Sequence, residues 1–551
     1  MTPSVRNLAA WLGPDMQALV LLVACTAILF WTAPSNGEFF WSDAPRHALN
    51  GVFVKDLVAA HPFADPAGFA YAYYAQYPAL TILFYPPLFY LLSAPFYAVF
   101  GVSHATALLA VMVHFLAFGW GCYRLSRLWL PASTSLALAV SLMFLPEIAF
   151  WGRQIMLEVP ALAFTVWSAV WFVKYLRSHE RRHLAWAAAL LVLGMYTKIS
   201  IAFLGLAFIA ALAAQRRGAL LRDKGLWLVL LGSIVALVPL MVLTLQFGQA
   251  NVQSVSGVAD RVASRASLGG WVWYARQWPS QLGWPMLAAV AAAALAFVAT
   301  ALAGNSRKAG MPTPERVFWL VWLLAGYVFF SAIDLKEARH SVFILPPLVF
   351  MAFMALDRLP NGNALKMLAP WALAALTVGW TLSQRPVLYV GNYAQVAQEV
   401  ARLAPPGSRV LFSGTRDGAF IFNLRAIASR RDLAVTRADK LFLRVAVRRE
   451  LGVEQKPLDD EAMLQLLNGS AHHYLVVQPG FWDDLEVMRR FETLLRRPQF
   501  EEVARWRLPA NFPAYDKELV LYRNLAASNE GRALPPIELP IVGRKVPINT
   551  P

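Results

Sequence analysis

Four short segments of this sequence carry ionisable residues directly beside long apolar stretches. The first, "WSDAPRHALNGVFVKD", supplies Asp43, Arg46 and His47 and follows an apolar run near residues 16–34. Charged groups beside or within a bilayer are costly and usually face a cavity or a partner. A carboxylate within reach of a hydroxyl can act as a general base, and Asp43 is our candidate for that role. Taken alone, Asp43 is more simply explained as a solvated loop carboxylate.

The other three segments add one acid and several cations. "WGRQIMLEVP" supplies Arg153 and Glu158, "GMYTKIS" supplies Lys198, and "DLKEARHSVFILPP" supplies Lys336, Arg339 and His340. Together these groups suit a substrate that has an acidic headgroup and a hydroxyl to be activated. Each has an ordinary alternative: Glu158 could simply start a helix, where the dipole favours an acid, and Lys336 could reach a lipid phosphate. Their order along the chain is stronger evidence than any one residue.

The composition indicates a membrane protein. Of the 551 residues, 58% are hydrophobic and 15% are charged, whereas soluble domains carry about a quarter charged residues. We therefore predict a polytopic α-helical membrane protein whose first apolar run is an uncleaved span. The formal charge of +16 is spread over short loops, which argues against nucleic acid as a partner. Cys25 and Cys122 both fall in predicted spans, so a disulfide framework is not expected.

Apolar stretches long enough to cross a bilayer, about 20 residues each, set the predicted architecture. They lie near 16–34, 105–123, 133–150, 159–176, 226–245, 284–303, 317–333, 341–357 and 367–383. The stretch 184–215 is interrupted around Gly194 to Lys198 and is predicted to form two short spans. The expected number is therefore about eleven transmembrane helices.

The distribution of Lys and Arg predicts the orientation. If the proline- and aromatic-rich segment 84–100 lies at the interface, sixteen basic residues share one side with the N-terminus and nine lie opposite. If it spans, every later loop changes side. The positive-inside rule favours the first arrangement, which gives a cytoplasmic N-terminus and an external C-terminus.

The chain after residue 383 has a different character. "SRVLFSG" and "HHYLVVQPG" read as buried strands, and "DDEAMLQLL" and "DLEVMRRFETLL" read as amphipathic helices. We predict a transmembrane module over 1–383, with its first external loop and juxtamembrane helices at 35–104. An external α/β domain follows over 384–524, and 525–551 is predicted to be an extended, proline-rich tail.

The order of these segments resembles the C-type glycosyltransferases (GT-C fold), and in particular the bacterial protein O-mannosyltransferases and aminoarabinose transferases. "WSDAPRHALNGVFVKD" is similar to the family's first loop, with Asp43 as its acid, and "YPPLFYLLSAPFYAVFG" is similar to its juxtamembrane helix. "GRQIMLEVPALAF" resembles the second acidic loop, and "KEARHSVFILPPLVF" the late basic motif. The family often has two adjacent acids in the first motif, whereas Asp43 is flanked by Ser42 and Ala44.

The resemblance implies an enzyme of the bacterial inner membrane that transfers a sugar from a polyprenyl-phosphate donor, with inversion, to an acceptor hydroxyl or phosphate on the periplasmic side. It implies catalytic roles for Asp43 and Glu158, donor-phosphate binding by Lys198, Lys336 and Arg339, and substrate binding by Arg46, His47, Tyr85, Arg153 and His340. No cofactor is certain, and a divalent metal ion held by Asp43 and Glu158 is left open. The expected partners are the lipid-linked sugar, a lipid, glycan or protein acceptor, and membrane lipids.

Two alternatives stay open. A flippase or transporter of lipid-linked glycans would use the same charges to guide a phosphate, although transporters usually show internal repeats and broken helices at the midplane. An O-antigen ligase or polymerase also uses polyprenyl-linked donors, but would be expected to depend on large external loops late in the membrane region. The long loop of this chain comes first.

Overall fold

The chain folds as two compact units. The computed structural model describes residues 13–215, 222–256, 264–302, 313–360, 364–446, 449–528, 534–539 and 544–548. The membrane unit comprises Met1–Ala33, Val111–Leu243 and Val258–Val387, and the loop–sheet unit comprises Pro34–Ala110, Thr244–Gly257 and Leu388–Pro551. The predicted first external loop therefore folds in the same unit as the C-terminal domain.

Helices dominate the chain up to residue 384. In chain order they are α1 (Pro14–Trp31), α2 (Asp43–Ala60), α3 (Pro66–Gln76), α4 (Leu88–Phe100), α5 (His104–Ser126), α6 (Ala132–Met143), α7 (Pro146–Gly152), α8 (Glu158–Ser178), α9 (Arg181–Met195), a 3₁₀ helix Ile199–Phe203, α10 (Leu204–Ala214), α11 (Lys224–Phe247), α12 (Gln249–Ser256), α13 (Leu268–Leu282), α14 (Trp284–Leu302), α15 (Thr313–Ser331), a 3₁₀ helix Ala338–Ile344, α16 (Leu345–Asp357) and α17 (Ala364–Gln384).

Six helices of the described residues are long and apolar enough to cross a membrane: α1, α5, α8, α11, α17 and the continuous segment Ala338–Asp357. The bent pair α6 and α7 makes a seventh if it is counted as one span. Helices also occupy the other predicted stretches, but several are short, such as Ile199–Ala214. The chain is a multi-pass membrane protein by these criteria, and the predicted count of eleven is not confirmed.

Two breaks in the helices position residues of the candidate site. The axes of α6 and α7 differ by 64°, because Pro146 forces Leu145 into an extended conformation. The helix α9 ends at Met195 and the chain resumes as a 3₁₀ helix, with Lys198 extended between them. This break confirms the interruption predicted around Gly194 to Lys198.

Helix α8 is the most enclosed of the candidate spans. Within the 18-residue apolar window of each helix, 78% of α8 is buried inside the protein, whereas the share is 28% for α1 and 6% for α11. Its residue Phe172 stacks on Phe208 of α10 with 3.9 Å between ring centroids. Because α8 starts at Glu158, the acid of the second loop lies at the end of a central, well-packed helix.

The C-terminal part of the loop–sheet unit is a mixed α/β domain. Its elements are α18 (Tyr393–Leu403), β1 (Arg409–Ser413), α19 (Asp417–Ala426), β2 (Ala434–Arg437), α20 (Ala438–Leu441), β3 (Leu443–Val445), β4 (Val453–Gln455), α21 (Asp460–Asn468), β5 (His472–Val477), α22 (Glu486–Leu494), β6 (Phe500–Arg507), β7 (Glu518–Asn524), β8 (Leu534–Leu539) and β9 (Arg544–Ile548). The main sheet has the order β2-β1-β5-β7-β6. Strands β2, β1 and β5 are parallel, and β7 and β6 continue the sheet antiparallel.

The local predictions for this domain are confirmed. The two predicted strands are β1 and β5, and the two predicted amphipathic helices are α21 and α22. Asp459 caps α21 by accepting a hydrogen bond from the backbone of Ala462. Within the predicted proline-rich tail, Leu534–Leu539 and Arg544–Ile548 form the antiparallel pair β8 and β9.

Candidate active site

A buried ion cluster lies at the start of α8 in the membrane unit. The Lys198 ammonium donates to Oε1 of Glu158 at 2.6 Å, and Nη1 of Arg339 lies 3.7 Å from the same oxygen. These three residues, the Glu158 cluster, come from three separate segments of the chain. The Glu158 side chain is 1% exposed, whereas those of Arg339 and Lys198 are 9% and 20% exposed. The Glu158 carboxylate is therefore buried, and the two cations that pair with it are more accessible to solvent.

The guanidinium of Arg339 is held on further sides. Its Nε donates to Oε2 of Glu337 at 2.5 Å, and Nε2 of His340 lies 3.7 Å from that oxygen. The guanidinium carbon lies 5.5 Å from the ring centroid of Trp151, whose indole N–H donates to Glu147 at 2.7 Å. An arginine fixed in this way presents its planar donor group in one orientation, as recognition of a carboxylate or phosphate requires.

The cluster pairs one acid with two cations that each carry several donor hydrogens. A lysine ammonium has three donor hydrogens and a guanidinium has five. Oε2 of Glu158 is buried and has no hydrogen-bond partner within the part of the chain that the structure describes. A buried carboxylate is tolerated when cations pair with it, so the arrangement favours two oriented cations beside one acid.

Arg153 ties helix ends together instead. Its Nε donates to the carbonyl of Ala149 at 2.8 Å, Nη1 to the hydroxyl of Thr32 at 2.7 Å, and Nη2 to the carbonyl of Arg385 at 3.1 Å. These contacts join the ends of α1, α7 and α17.

Lys336 likewise serves the backbone. Its ammonium donates to the carbonyl of Ser331 at 2.5 Å and to that of Ile333, and it lies 5.8 Å from the ring centroid of Tyr274. Ser331 is the last residue of α15, so Lys336 satisfies carbonyls that the end of a helix leaves without partners.

In the loop–sheet unit, Asp43 is the first residue of α2 and is partly exposed. Arg46 and His47 follow at the spacing that brings side chains onto one face of a helix. An acid in the first turn is also favoured by the helix dipole. The three residues predicted from the first loop therefore share one helix face.

His47 and Tyr85 are brought together on that face. The ring of His47 meets that of Tyr85 edge-on, with 4.7 Å between centroids, and its Nδ1 lies 2.8 Å from the hydroxyl of Tyr90. Burial raises the pKa of the Tyr90 phenol, so this partner stays neutral. His47 is 2% exposed, which makes its contacts with Tyr90 of α4 and with Tyr85 part of the packing of the loop.

Arg46 has a partner that sequence reasoning missed. Its Nη2 lies 2.9 and 3.0 Å from the two carboxylate oxygens of Asp417, the first residue of α19. Asp417 also lies 2.7 Å from Nη1 of Arg437, the last residue of β2. One signal could have found them: Asp417 lies shortly after the predicted strand "SRVLFSG" and Arg437 is the last residue of β2, and α/β folds place binding residues at the ends of such strands.

No observation supports the hypothesis that Asp43 and Glu158 hold a divalent metal ion. Asp43 and Glu158 belong to different units. Across the residues that the structure describes, no group of three or more His, Cys, Asp or Glu side chains is arranged to hold a metal ion. The shared site for a divalent ion stays an untested hypothesis.

The comparisons with known proteins give matches to glycosyltransferases. The sequence model of the family described as dolichyl-phosphate-mannose-protein mannosyltransferase matches residues 85–243. The crystal structure of ArnT from Cupriavidus metallidurans bound to undecaprenyl phosphate matches with a TM-score of 0.61 at 15% identity, covering 92% of this chain and 98% of ArnT. The chain has a GT-C-type glycosyltransferase fold. The predicted resemblance is confirmed.

Two further comparisons agree with this fold. The apo state of the same ArnT gives a TM-score of 0.60 at 16% identity. The arabinofuranosyltransferase AftD from Mycobacteria gives 0.52 at 16% identity, covering 93% of this chain but 40% of AftD. A comparison with curated protein sequences finds no significant match. The family match includes Glu158 and Lys198, and Asp43 and Arg339 lie outside it.

Proposed function

We propose that this protein is a glycosyltransferase of the bacterial inner membrane. It transfers a sugar from a polyprenyl-phosphate donor to an acceptor hydroxyl or phosphate on the periplasmic side, with inversion at the anomeric carbon. The observation that carries the proposal is the Glu158 cluster, in which one buried acid orients two cations. The fold likeness to ArnT, whose structure holds undecaprenyl phosphate, supports a lipid-phosphate donor.

The cations of the cluster bind the donor phosphate. An ammonium has three donor hydrogens and a guanidinium five, and charge-assisted hydrogen bonds to phosphate are strong. The leaving phosphate gains negative charge as the sugar departs, and fixed cations in a partly buried site stabilise that charge. Glu158 therefore acts as the anchor that keeps both cations in place. Arg153 and Lys336 stabilise helix ends and take no part in this proposal.

The chemical step is a single displacement. The acceptor oxygen attacks the anomeric carbon, the bond from that carbon to the phosphate oxygen breaks, and the polyprenyl phosphate leaves with the electron pair. The Asp43 carboxylate takes the proton of an acceptor hydroxyl, a contribution of about 10²–10⁴ in rate. A phosphate acceptor needs no such base. Arg46 and Tyr85 lie on the same side of α2 as Asp43 and contact the substrates, the buried His47 holds Tyr85 in place, and His340 contacts the substrates beside Arg339.

The orientation of the chain follows from its charge. The loops that carry most Lys and Arg stay in the cytoplasm, which puts the N-terminus there and the C-terminal α/β domain in the periplasm. Asp43 and the Glu158 cluster then face the periplasm, the side on which we propose that transfer takes place.

An assay of sugar transfer from a polyprenyl-phosphate donor tests the proposed function. Membranes containing the protein are incubated with radiolabelled polyprenyl-phosphate sugars and candidate acceptors, and the anomeric configuration of the product is determined by NMR. We expect label to leave the lipid carrier and the product to have the inverted configuration. Label that stays on the carrier and crosses the bilayer of sealed vesicles would replace the proposal with a flippase. En bloc transfer of a long glycan would replace it with a ligase.

A further inference from the structure

The carboxyl ends of the parallel strands β1, β2 and β5 lie at one edge of the sheet, and helix α2 contacts the domain there. In open α/β sheets, ligands bind outside these ends, at the point where the strand order reverses. Here β1 lies between β2 and β5, so that point lies beside the end of β1. Within the loop–sheet unit, the group held at this edge is the first turn of α2.

The contact with α2 is made at the start of α19. Asp417 accepts from Arg46 at 2.9 and 3.0 Å. A Cβ placed on Gly418 would lie 2.5 Å from Nη1 of Arg46 and 3.1 Å from Cγ of Pro45. The absence of a side chain at position 418 is thus what allows α19 to approach α2 this closely. Asp43 is three residues before Arg46, on the same helix face.

The segment leading into α2 is held by the same part of the domain. Nη1 of Arg416 donates to the carbonyl of Phe40, and Nε of Arg416 donates to Asp516 at 2.8 Å. Further along α19, Asn423 donates to the carbonyl of Gly37 at 3.2 Å. The C-terminal domain therefore fixes the chain at three successive places, Gly37, Phe40 and Arg46, around Asp43.

The charges at this edge form a continuous network. Asp417 is 9% exposed and lies between Arg46 and Arg437, whose side chains are 18% and 16% exposed. Arg437 also binds Asp439 through two hydrogen bonds of 2.7 and 2.9 Å. Burial acts to raise the pKa of Asp439, but the Arg437 guanidinium outweighs it and holds that pKa below its usual value. The pair of Asp439 and Arg437 is therefore ionised at neutral pH.

We propose that the C-terminal domain positions helix α2 for sugar transfer, with Asp417 as a positioning residue that acts through Arg46 on Asp43. The inference rests on the proposed function and adds to it a role for the domain. A displacement of about 1 Å at a reacting group can cost roughly a hundredfold in rate. Loosening this contact is expected to lower the rate of transfer and not the affinity for the donor.

Two variants and one control test this role. Asp417→Asn removes the charge at nearly constant shape. Gly418→Ala displaces Arg46 while favouring the α19 helix, because alanine is the better helix former by about 1 kcal/mol. Glu502→Gln is the control: it removes the same charge from the same domain, at an exposed pair with Arg505 of 2.9 Å. Asp417→Glu tests rescue by a residue that keeps the charge.

The readouts are kcat and the donor KM in the transfer assay, and amide hydrogen exchange of residues 37–46. We expect Asp417→Asn and Gly418→Ala to lower kcat about 10- to 100-fold, to leave the donor KM within twofold, and to speed exchange in 37–46 alone. Asp417→Glu should recover part of kcat, and Glu502→Gln should match the wild type.

Three results would overturn the inference. Wild-type kcat and exchange in Asp417→Asn and Gly418→Ala would remove any positioning role. Faster exchange throughout the domain, together with a loss of protein, would reduce the contact to a structural one. A wild-type protein that transfers no sugar would refute the proposed function, and the positioning role would fall with it. An active wild type beside unaffected variants refutes the positioning role alone.

Discussion

At the scale of single residues, the sequence identified the members of the Glu158 cluster but not their partners. Ionisable residues beside apolar stretches are rare enough that Glu158, Lys198 and Arg339 could be found by type and position. Lys336 was grouped with them because it stands with Arg339 and His340 in "DLKEARHSVFILPP", beside an apolar stretch. In an irregular segment, proximity in sequence does not bring side chains together, and Lys336 donates to the end of α15 instead.

The contrast between the two lysines gives a prediction. Lys198→Met should raise the donor KM about 10- to 100-fold, because a charge-assisted hydrogen bond of roughly 1.5–3 kcal/mol is lost. Lys336→Met should leave the donor KM unchanged and lower the unfolding temperature, because carbonyls at the end of α15 lose their donor. Both quantities can be measured on detergent-purified protein. Equal effects of the two substitutions on the donor KM would contradict the assignment.

At the scale of elements, local patterns predicted local structure well. The break before Lys198 and the strands β1 and β5 were predicted because proline-free apolar runs, alternation and flanking turn residues are visible in a short window. The contact of Arg46 with Asp417 joins residues 371 positions apart, and no short window can contain it. The role of α19 beside the first loop therefore required the structure.

Strand β5 carries a histidine that should make the domain sensitive to acid. Burial, with a further effect of Arg409, lowers the pKa of His472 to about 3, whereas an unfolded histidine has a pKa near 6.5. Between these values the unfolded chain binds a proton that the native protein excludes. Stability is thus complete above about pH 6.5 and falls as the pH drops towards 3, by up to about 1.4 kcal/mol per unit.

The substitution His472→Leu should remove this dependence. We expect the difference in unfolding temperature between pH 7 and pH 5 to be smaller in the variant than in the wild type, followed by near-ultraviolet circular dichroism. His472 is 0% exposed, so the substitution places an apolar side chain of similar size at a fully buried position. An unchanged difference would show that His472 accepts a proton in the folded state.

At the scale of the whole molecule, the order of motifs along the chain predicted the fold, although the identity to the matched structures is 15–16%. The number of spans was less predictable. Apolar composition locates helices, but whether a short helix such as α10 crosses a bilayer depends on neighbours that a hydropathy window does not contain.

The orientation is testable with single cysteines, because Cys25 and Cys122 are both buried. Tyr515 is 93% exposed in the C-terminal domain, and the Arg182 side chain is 71% exposed at the start of α9. With a membrane-impermeant maleimide, Tyr515→Cys should be labelled in cells with a permeabilised outer membrane, and Arg182→Cys only after the inner membrane is opened. The reverse pattern would invert the topology.

The central claim is that Asp43 is the base of a lipid-linked sugar transfer, and one comparison tests it most directly. Asp43→Asn is measured beside Asp65→Asn, a matched change in the same loop at the cap of α3, where Asp65 accepts from Gly68 at 2.8 Å and asparagine caps equally well. Both are assayed in reconstituted vesicles with a labelled polyprenyl-phosphate sugar and a hydroxyl acceptor. The account predicts that Asp65→Asn transfers label at the wild-type rate and that Asp43→Asn, equally folded, is slower by about 10²-fold or more. Equal rates in the two variants would contradict it.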